Sequence, residues 1–169
     1  MKKALLLLLA PLMAFALELG FVPLHITLQG DNGGLIDGSA WDSSILKDKV
    51  YVLFYVDPDK KEINDAVTQA LKAKKFDRNN YASMAIINMA ATWLPNFAIS
   101  SALEKKQKEF PDTIYAKDLN KVLVKEWKLA DDSSDVLLFD KSGKLIYIYE
   151  GKLNNEEISK LINLIEANI

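Results

Sequence analysis

Hydrophobic residues fall into two kinds of segment along this chain: short continuous runs, and longer stretches with helical spacing. The runs over residues 50–56, 81–89 and 136–139 are apolar at most positions, a pattern typical of strands buried on both faces of a sheet. Over residues 59–75, apolar residues recur every three or four positions, which predicts an amphipathic helix. A strand, a helix and a second strand in this order predict a crossover that joins parallel strands.

The second half of the chain continues to alternate helices and strands, and it then ends in two consecutive strands and a helix. We expect further elements at residues 96–110 (helix), 113–116 (strand), 121–127 (helix), 144–149 (strand) and 156–168 (helix). Asn120 is the expected cap of the short helix, and Asn154 or Asn155 that of the last one. The tight turn over residues 140–143 makes the last two strands a hairpin, so the chain ends in an antiparallel ββα unit.

The start of the chain predicts a hairpin-like extension. Residues 24–29 alternate between apolar and polar, which predicts a strand with one face in solvent. Residues 30–34 predict a glycine-rich turn, and residues 35–36 a short strand that runs back along the first. Residues 41–46 are expected to form one helical turn capped by Asp42 or Ser43.

The first sixteen residues have the organisation of a secretory signal peptide. A short basic start is followed by an apolar run from Ala4 to Ala16, and the run ends in the small-x-small sequence Ala14-Phe15-Ala16. The run is shorter than the roughly 20 residues that span a bilayer. We expect cleavage before Leu17, a single domain over residues 17–169, and a periplasmic location, with membrane contact only through the signal peptide before cleavage.

Charge and composition restrict the function. Removing Lys2 and Lys3 with the signal peptide leaves 19 basic and 23 acidic residues, a net charge of −4. Nucleic-acid partners are therefore not expected, since phosphates require a basic surface. Two lysine-rich clusters, residues 72–78 and 105–108, are interpreted as solvated faces. The chain has no cysteine, so no side chain can supply the thiolate of thiol–disulfide exchange.

The element order and several motifs resemble the YtfJ family of exported, thioredoxin-like bacterial proteins. The motifs are Ile26-Thr27-Leu28, Trp41, and Trp127-x-Leu129-x-Asp131-x-x-Ser134 followed by Val136-Leu137-Leu138-Phe139-Asp140-Lys141-x-Gly143. The resemblance implies an α/β, thioredoxin-like fold: a mixed central sheet flanked by helices, with an N-terminal β-hairpin extension and a C-terminal ββα unit. It also implies export and a missing Cys-x-x-Cys motif, with no established activity.

Both halves of the thioredoxin redox site are replaced in this sequence. The turn after strand 50–56, which carries Cys-x-x-Cys in thioredoxins, has the sequence Asp-Pro-Asp-Lys, and Ser134 or Asp135 stands at the position of the cis-proline. We expect a trans loop there, because a cis bond before a non-proline residue is costly. We expect non-covalent binding of a periplasmic protein or peptide at these segments. The candidate contact residues are Asp57, Pro58, Asp59, Lys60, Ser133, Ser134 and Asp135.

The same aspartates allow an enzymatic alternative. Magnesium-dependent phosphatases of the haloacid-dehalogenase type carry Asp-x-Asp after their first strand and a later Asp-x-x-x-Asp. Asp57 and Asp59 match the first motif, and Asp131 and Asp135 match the second. In those phosphatases the late acidic pair lies at the end of a strand, whereas Asp131 and Asp135 precede a strand in this sequence. The structural interpretation is that Asp59 caps a helix and Asp57 occupies a proline turn.

Other chemistry-bearing residues have structural interpretations. His25, the only histidine, is expected to face water. Trp41, Trp93 and Trp127 are expected to be core anchors. No phosphate-binding or dinucleotide-binding glycine motif is present, and we expect no cofactor.

Overall fold

The computed structural model describes residues 17–169, so the predicted signal peptide and its cleavage site lie outside the described residues. The strands are β1 (Thr27–Leu28), β2 (Gly33–Leu35), β3 (Trp41–Asp42), β4 (Val50–Val56), β5 (Tyr81–Asn88), β6 (Thr113–Asp118), β7 (Ser134–Phe139) and β8 (Leu145–Glu150). The α-helices are α1 (Asp65–Lys74), α2 (Asn96–Glu109), α3 (Val122–Trp127) and α4 (Asn155–Asn168).

Six strands form one mixed sheet in the order β2-β6-β5-β4-β7-β8. Strands β4, β5 and β6 are parallel, whereas β7 is antiparallel to β4 and β8 to β7. The central strand β4 is buried at nearly every position, which explains its continuous apolar sequence. The predicted mixed sheet and C-terminal ββα unit are confirmed, and Asn154 caps α4 by accepting the Glu157 N–H at 2.9 Å.

Helices cover both faces of this sheet. On the first face, α3 and the N-terminal segment pack through Trp127 and Trp41, whose rings meet edge to face with centroids 6.3 Å apart. On the second face, α1 and α4 pack over the β4–β7 side, and α2 packs over the β5–β6 side through Ile99 and Leu103. Alternate residues of β4, such as Val52 and Leu53, therefore enter two separate core layers.

The N-terminal extension is antiparallel, but its pairing differs from the prediction. Strand β1 pairs with β3, and β2 joins the edge of the main sheet beside β6. Residues 41–42 are thus a strand rather than part of a helical turn. A short 3₁₀ turn follows over Ser43–Ile45, and Asp42 caps it by accepting the Ser44 N–H at 2.9 Å, as expected.

Two helices begin later than the sequence pattern predicts. Helix α1 starts at Asp65 and not near residue 59, because residues 58–60 form a separate 3₁₀ turn. Helix α3 is not capped by Asn120, whose side chain donates instead to the carbonyl of Asp31 at 2.8 Å. The buried carboxylate of Asp118 takes the capping role. Within residues 17–169, no helix combines the length and the apolar character needed to cross a membrane.

Candidate functional site at the carboxyl edge of the sheet

The two segments that replace the redox motifs meet at one edge of the sheet. This carboxyl edge is where β4, β5 and β6 end and where β7 begins. The Asp57 N–H donates to the Ser133 carbonyl at 2.9 Å, and Val56 stands opposite Ser134 in the ladder. The structure therefore brings together the turn over residues 57–60 and the start of β7. No cis peptide bond occurs in the described chain from residue 17 onward, so the loop before β7 is trans, as expected.

Asp57 organises the turn. Its side chain is buried, and its Oδ1 accepts the Asp59 N–H at 2.8 Å. Pro58 is buried at the first position of the 3₁₀ turn, where its fixed φ is favourable. Asp57 is therefore the cap, and the prediction that Asp59 caps a helix is wrong. Asp59 and Lys60 point into solvent.

Asn64, for which the sequence analysis made no prediction, bonds to the start of β7 from the segment between the turn and α1. Its Nδ2 donates to the Ser134 Oγ at 3.1 Å and to the Gly151 carbonyl at 3.0 Å, and its Oδ1 accepts the Leu153 N–H at 3.1 Å. The side chain is buried. This amide links the segment before α1 to the start of β7 and to the segment that follows β8. An asparagine at the edge of an amphipathic pattern carries no sequence signal for such a role.

Four buried polar side chains lie under the carboxyl edge on the face covered by α3: Tyr55, Asn88, Asp118 and Asp135. The Tyr55 hydroxyl donates to Asp118 Oδ2 at 3.0 Å. The same carboxylate accepts the backbone N–H groups of Val122 and Leu123, both at 2.9 Å. Burial, and the neighbouring Asp118 carboxylate, raise the pKa of Tyr55. The phenol therefore stays neutral and donates.

Two acceptor atoms of this buried group have no partner among the described residues. They are Oδ1 of Asp135 and Oδ1 of Asn88. The other carboxylate oxygen of Asp135 accepts the Ala130 N–H at 2.8 Å. Asp135 is only 2% exposed, and this burial raises the pKa of its carboxyl to about 6. An unpaired buried acceptor disfavours the ionised form of an acid.

Asp131 occupies a different environment from Asp135. Its Oδ2 accepts Lys121 Nζ at 2.7 Å, and Asn88 Nδ2 donates to its Oδ1 at 3.0 Å. The hydrogen bond from Lys121 is the main cause that lowers the pKa of Asp131. Asp131 thus anchors the loop before β7 to the end of β5 and the start of α3.

The geometry gives no support to the phosphatase alternative. Asp57 is committed to the turn, Asp131 to Lys121, and Asp135 is buried within the ladder opposite Tyr55. Asp59 alone of the four is free of such a contact and faces solvent. Across residues 17–169, no group of three or more acidic or histidine side chains is arranged to hold a metal ion.

An aromatic pair missed by the sequence analysis stands at the same edge. Trp93 is 87% exposed and Phe97 is 77% exposed, so the prediction that Trp93 is a core anchor is wrong. Trp41 and Trp127 are buried as expected. The chain between β5 and α2 turns outward here, and the neighbours Leu94 and Ile99 take the inward positions.

The sequence neighbours of this aromatic pair share a core cluster with the end of β4. Leu94 and Ile99 pack in one cluster with Val56, the last residue of β4 before that turn. Trp93 and Phe97, in the same segment between β5 and the first turn of α2, carry their side chains into solvent. His25, in contrast, lies outside the carboxyl edge. It is exposed as expected, and its Nε2 bonds Asp42 Oδ1 at 2.8 Å.

Comparison with known proteins identifies the family whose sequences this chain resembles. Residues 26–168 match a family model described as bacterial protein of unknown function (YtfJ_HI0045). The chain is 30% identical over 174 residues to the uncharacterized protein YtfJ of Escherichia coli (strain K12). That match covers 96% of this chain and 94% of the relative.

Solved structures with low sequence identity share the fold. The exposed lipoprotein thioredoxin of Streptococcus pneumoniae superposes with a TM-score of 0.60 at 13% identity, covering 85% of this chain and 99% of that one. A peroxiredoxin-like protein of Aquifex aeolicus gives a TM-score of 0.62 at 15% identity, covering 90% and 88%. The thioredoxin-like fold is therefore shown, and at this identity the likeness extends to the fold alone.

Proposed function

Because this chain belongs to the YtfJ family of bacterial proteins and has no cysteine on its thioredoxin-like fold, we propose that it is a non-covalent binding module for a segment of a partner protein. The proposed module acts in the periplasm after export and performs no thiol–disulfide exchange. Its contact surface is the carboxyl edge of the sheet, where thioredoxin-like redox proteins carry their cysteines.

The observation that carries this proposal is the exposure of Trp93 and Phe97 at the carboxyl edge, where the chain leaves β5 and enters α2. Leaving two large aromatic rings in water forgoes the free energy that burial would give, about 25 cal/mol per Å². Tryptophan in particular is enriched among the residues that dominate binding free energy at interfaces. The neighbouring Leu94 and Ile99 pack into the core, which anchors the segment that carries the two rings.

Burial divides the candidate contact residues into two roles. Asp59 and Lys60 are exposed, and Ser133 is partly exposed, so these three can touch a partner. Asp57, Pro58, Ser134 and Asp135 are buried. In this proposal the buried four position the surface and make no direct contact.

Site-specific photo-crosslinking in cells tests the proposal. A photoreactive phenylalanine analogue is placed at position 97, at position 60, or at the control position 21. Phe21 is also largely exposed, at 59%, but its backbone is hydrogen-bonded to Leu145, at the start of β8. That start lies at the sheet edge opposite the carboxyl edge, because β8 ends opposite the beginning of β7.

The expected result is one discrete protein adduct from positions 97 and 60, absent from position 21, and lost when Trp93→Ser is introduced beside the probe at position 60. Adducts that form equally from position 21 would contradict the proposal. So would an adduct from position 60 that is insensitive to Trp93→Ser.

A further inference from the structure

We infer that the partner segment is acidic as well as apolar, and that it binds along the exposed face of α2. A large apolar side chain of the partner packs on Trp93 and Phe97, and one or more of its carboxylates meet lysines near the other end of the helix. This inference rests on the proposed function, and it specifies the chemistry of the partner.

The exposed face of α2 runs from aromatic to basic. Starting at Phe97, steps of about one helical turn lead through Ser101 to Lys105 and Lys108, all of which are exposed. Ile99 and Leu103 face the opposite way, into the core. Phe97 and the lysines therefore lie on one exposed face of the helix, and the exposed Trp93 precedes its first turn. These residues are here called the α2 stripe: Trp93, Phe97, Ser101, Lys105 and Lys108.

A second basic cluster lies on a different side of α2 from the α2 stripe, because Lys106 is one helical turn after the core-facing Leu103. Lys72 from the end of α1 lies with its Nζ 4.9 Å from the centroid of the Phe110 ring, and Lys106 Nζ lies 5.1 Å from the same centroid. The two lysine clusters, distant in sequence, thus meet around one aromatic ring. The positive charges on the α2 stripe itself are therefore those of Lys105 and Lys108.

Lys105 and Lys108 are available to a partner. Within residues 17–169, neither takes part in a salt bridge, whereas Lys106 pairs with Glu109 at 3.3 Å. An exposed ammonium group is worth little in an intramolecular pair but can steer and select an oppositely charged partner. The complementary group is a carboxylate of the bound segment.

Helix geometry sets the spacing that such a segment needs. Phe97 and Lys105 are eight residues apart, so about 12 Å separates them along the axis, and about 17 Å separates Phe97 from Lys108. An extended peptide advances about 3.3 Å per residue. The acidic residue should therefore stand about four or five positions from the apolar anchor.

A protein segment fits this surface better than an anionic membrane does. Glu104 is exposed on the same face of α2, between Phe97 and Lys108. A flat anionic surface that reached both the aromatic pair and the lysines would also press against this carboxylate. A single extended segment can place its carboxylates on the lysines alone.

Selection from a displayed library of random 12-residue peptides tests the inference. The purified protein is compared with three variants: Trp93→Ser/Phe97→Ser, Lys105→Glu/Lys108→Glu, and the control Lys125→Glu/Lys152→Glu, whose lysines are exposed elsewhere and form no salt bridge within residues 17–169. The affinity of the enriched peptides is then measured, and binding to vesicles of phosphatidylcholine with phosphatidylglycerol is measured in parallel.

The expected result is enrichment of peptides that combine a large apolar residue with an acidic residue four or five positions away. Lys105→Glu/Lys108→Glu should weaken their binding about tenfold, the loss of two exposed charge pairs, and should shift selection toward basic residues. Trp93→Ser/Phe97→Ser should abolish binding, and the control should bind like the unaltered protein.

Two other outcomes separate the inference from the proposed function. Peptides that need Trp93 and Phe97 but show no acidic preference, or bind Lys105→Glu/Lys108→Glu equally well, would overturn the inference and leave the proposed function standing. No peptide dependent on Trp93 and Phe97, or vesicle binding in place of peptide binding, would overturn both.

Discussion

The hydroxyl of Tyr55 on β4 reaches across β5 and donates a 3.0 Å hydrogen bond to the carboxylate of Asp118 at the end of β6. That carboxylate is completely buried and holds the first N–H groups of α3. One carboxylate therefore connects the central strand β4, the end of β6 and helix α3 on the first face. Asp118 fixes α3 beneath the carboxyl edge.

Loss of this connection should destabilise the fold. We expect Tyr55→Phe to lower the free energy of unfolding by about 1–2 kcal/mol, because Asp118 loses one donor in a buried site. Asp118→Ala should cost more, since it also leaves the N–H groups of Val122 and Leu123 unpaired. Denaturant unfolding measures both. Equal stability of Tyr55→Phe and the unaltered protein would show that another donor replaces the phenol.

Asn64 should be the second polar residue on which the carboxyl edge depends. Asn64→Ala removes hydrogen bonds to Ser134, Gly151 and Leu153 at once, and we expect a loss of about 2–3 kcal/mol. Asn79→Ala, at an exposed position, is the matched control and should change stability by less than about 0.5 kcal/mol. Similar denaturation midpoints for the two variants would contradict the bridging role.

Asp135 should give stability a distinctive pH dependence. Its pKa is raised to about 6 in the folded state from an ordinary value of 3.8, so the folded protein binds its proton more tightly than the unfolded chain does. The contribution to stability is therefore full below about pH 4 and is lost as the pH rises through 6. Asp131, Asp37 and Asp42 have lowered pKa values, and their stabilisation is lost only in more acidic solution.

Asp135→Asn isolates this contribution. As the pH rises from 4 to 7, the unaltered protein should lose stability relative to Asp135→Asn. Above pH 7 the difference in unfolding free energy should stay constant. Denaturation midpoints measured across this range provide the test, with the exposed Asp132→Asn as control. Parallel curves for Asp135→Asn and the unaltered protein would exclude a raised pKa at this position.

Substitution of the buried Trp127 should lower the free energy of unfolding strongly, whereas substitution of the exposed Trp93 should hardly change it. Trp127 packs against Trp41 and Phe139 and donates its Nε1–H to the Leu24 carbonyl at 2.8 Å, so Trp127→Ala should cost about 3–5 kcal/mol. Trp93→Ser should leave the unfolding free energy nearly unchanged, because its ring touches mostly water. Iodide quenching of tryptophan fluorescence should fall after Trp93→Ser. Unchanged quenching would mean that the Trp93 ring is covered in solution.

Much of the architecture was accessible from local patterns. The apolar run of β4 and the hairpin over residues 136–149 have periods and turns that predict strands, and the YtfJ resemblance implied a mixed sheet flanked by helices. The sequence also places an acidic, cysteine-free turn where the redox motif stands in thioredoxins, which removes the thiolate from its chemistry. These features depend on neighbouring residues along the chain, and so a single sequence records them.

Tertiary structure decided the partners of polar groups and the exposure of large side chains. Asn64 bonds to Gly151 and Asp118 bonds to Tyr55, both far away in the chain, and no local pattern predicts these pairings. Tryptophan is a residue type that usually packs in a core, as the sequence analysis expected of Trp93. The chain that follows β5 instead directs Leu94 inward and leaves Trp93 in solvent. Burial and hydrogen bonding are properties of the packed chain, because they depend on which distant surfaces meet. The sequence alone excludes thiol–disulfide exchange at the carboxyl edge, because the chain has no cysteine. Which side chains are exposed there was decided only by packing.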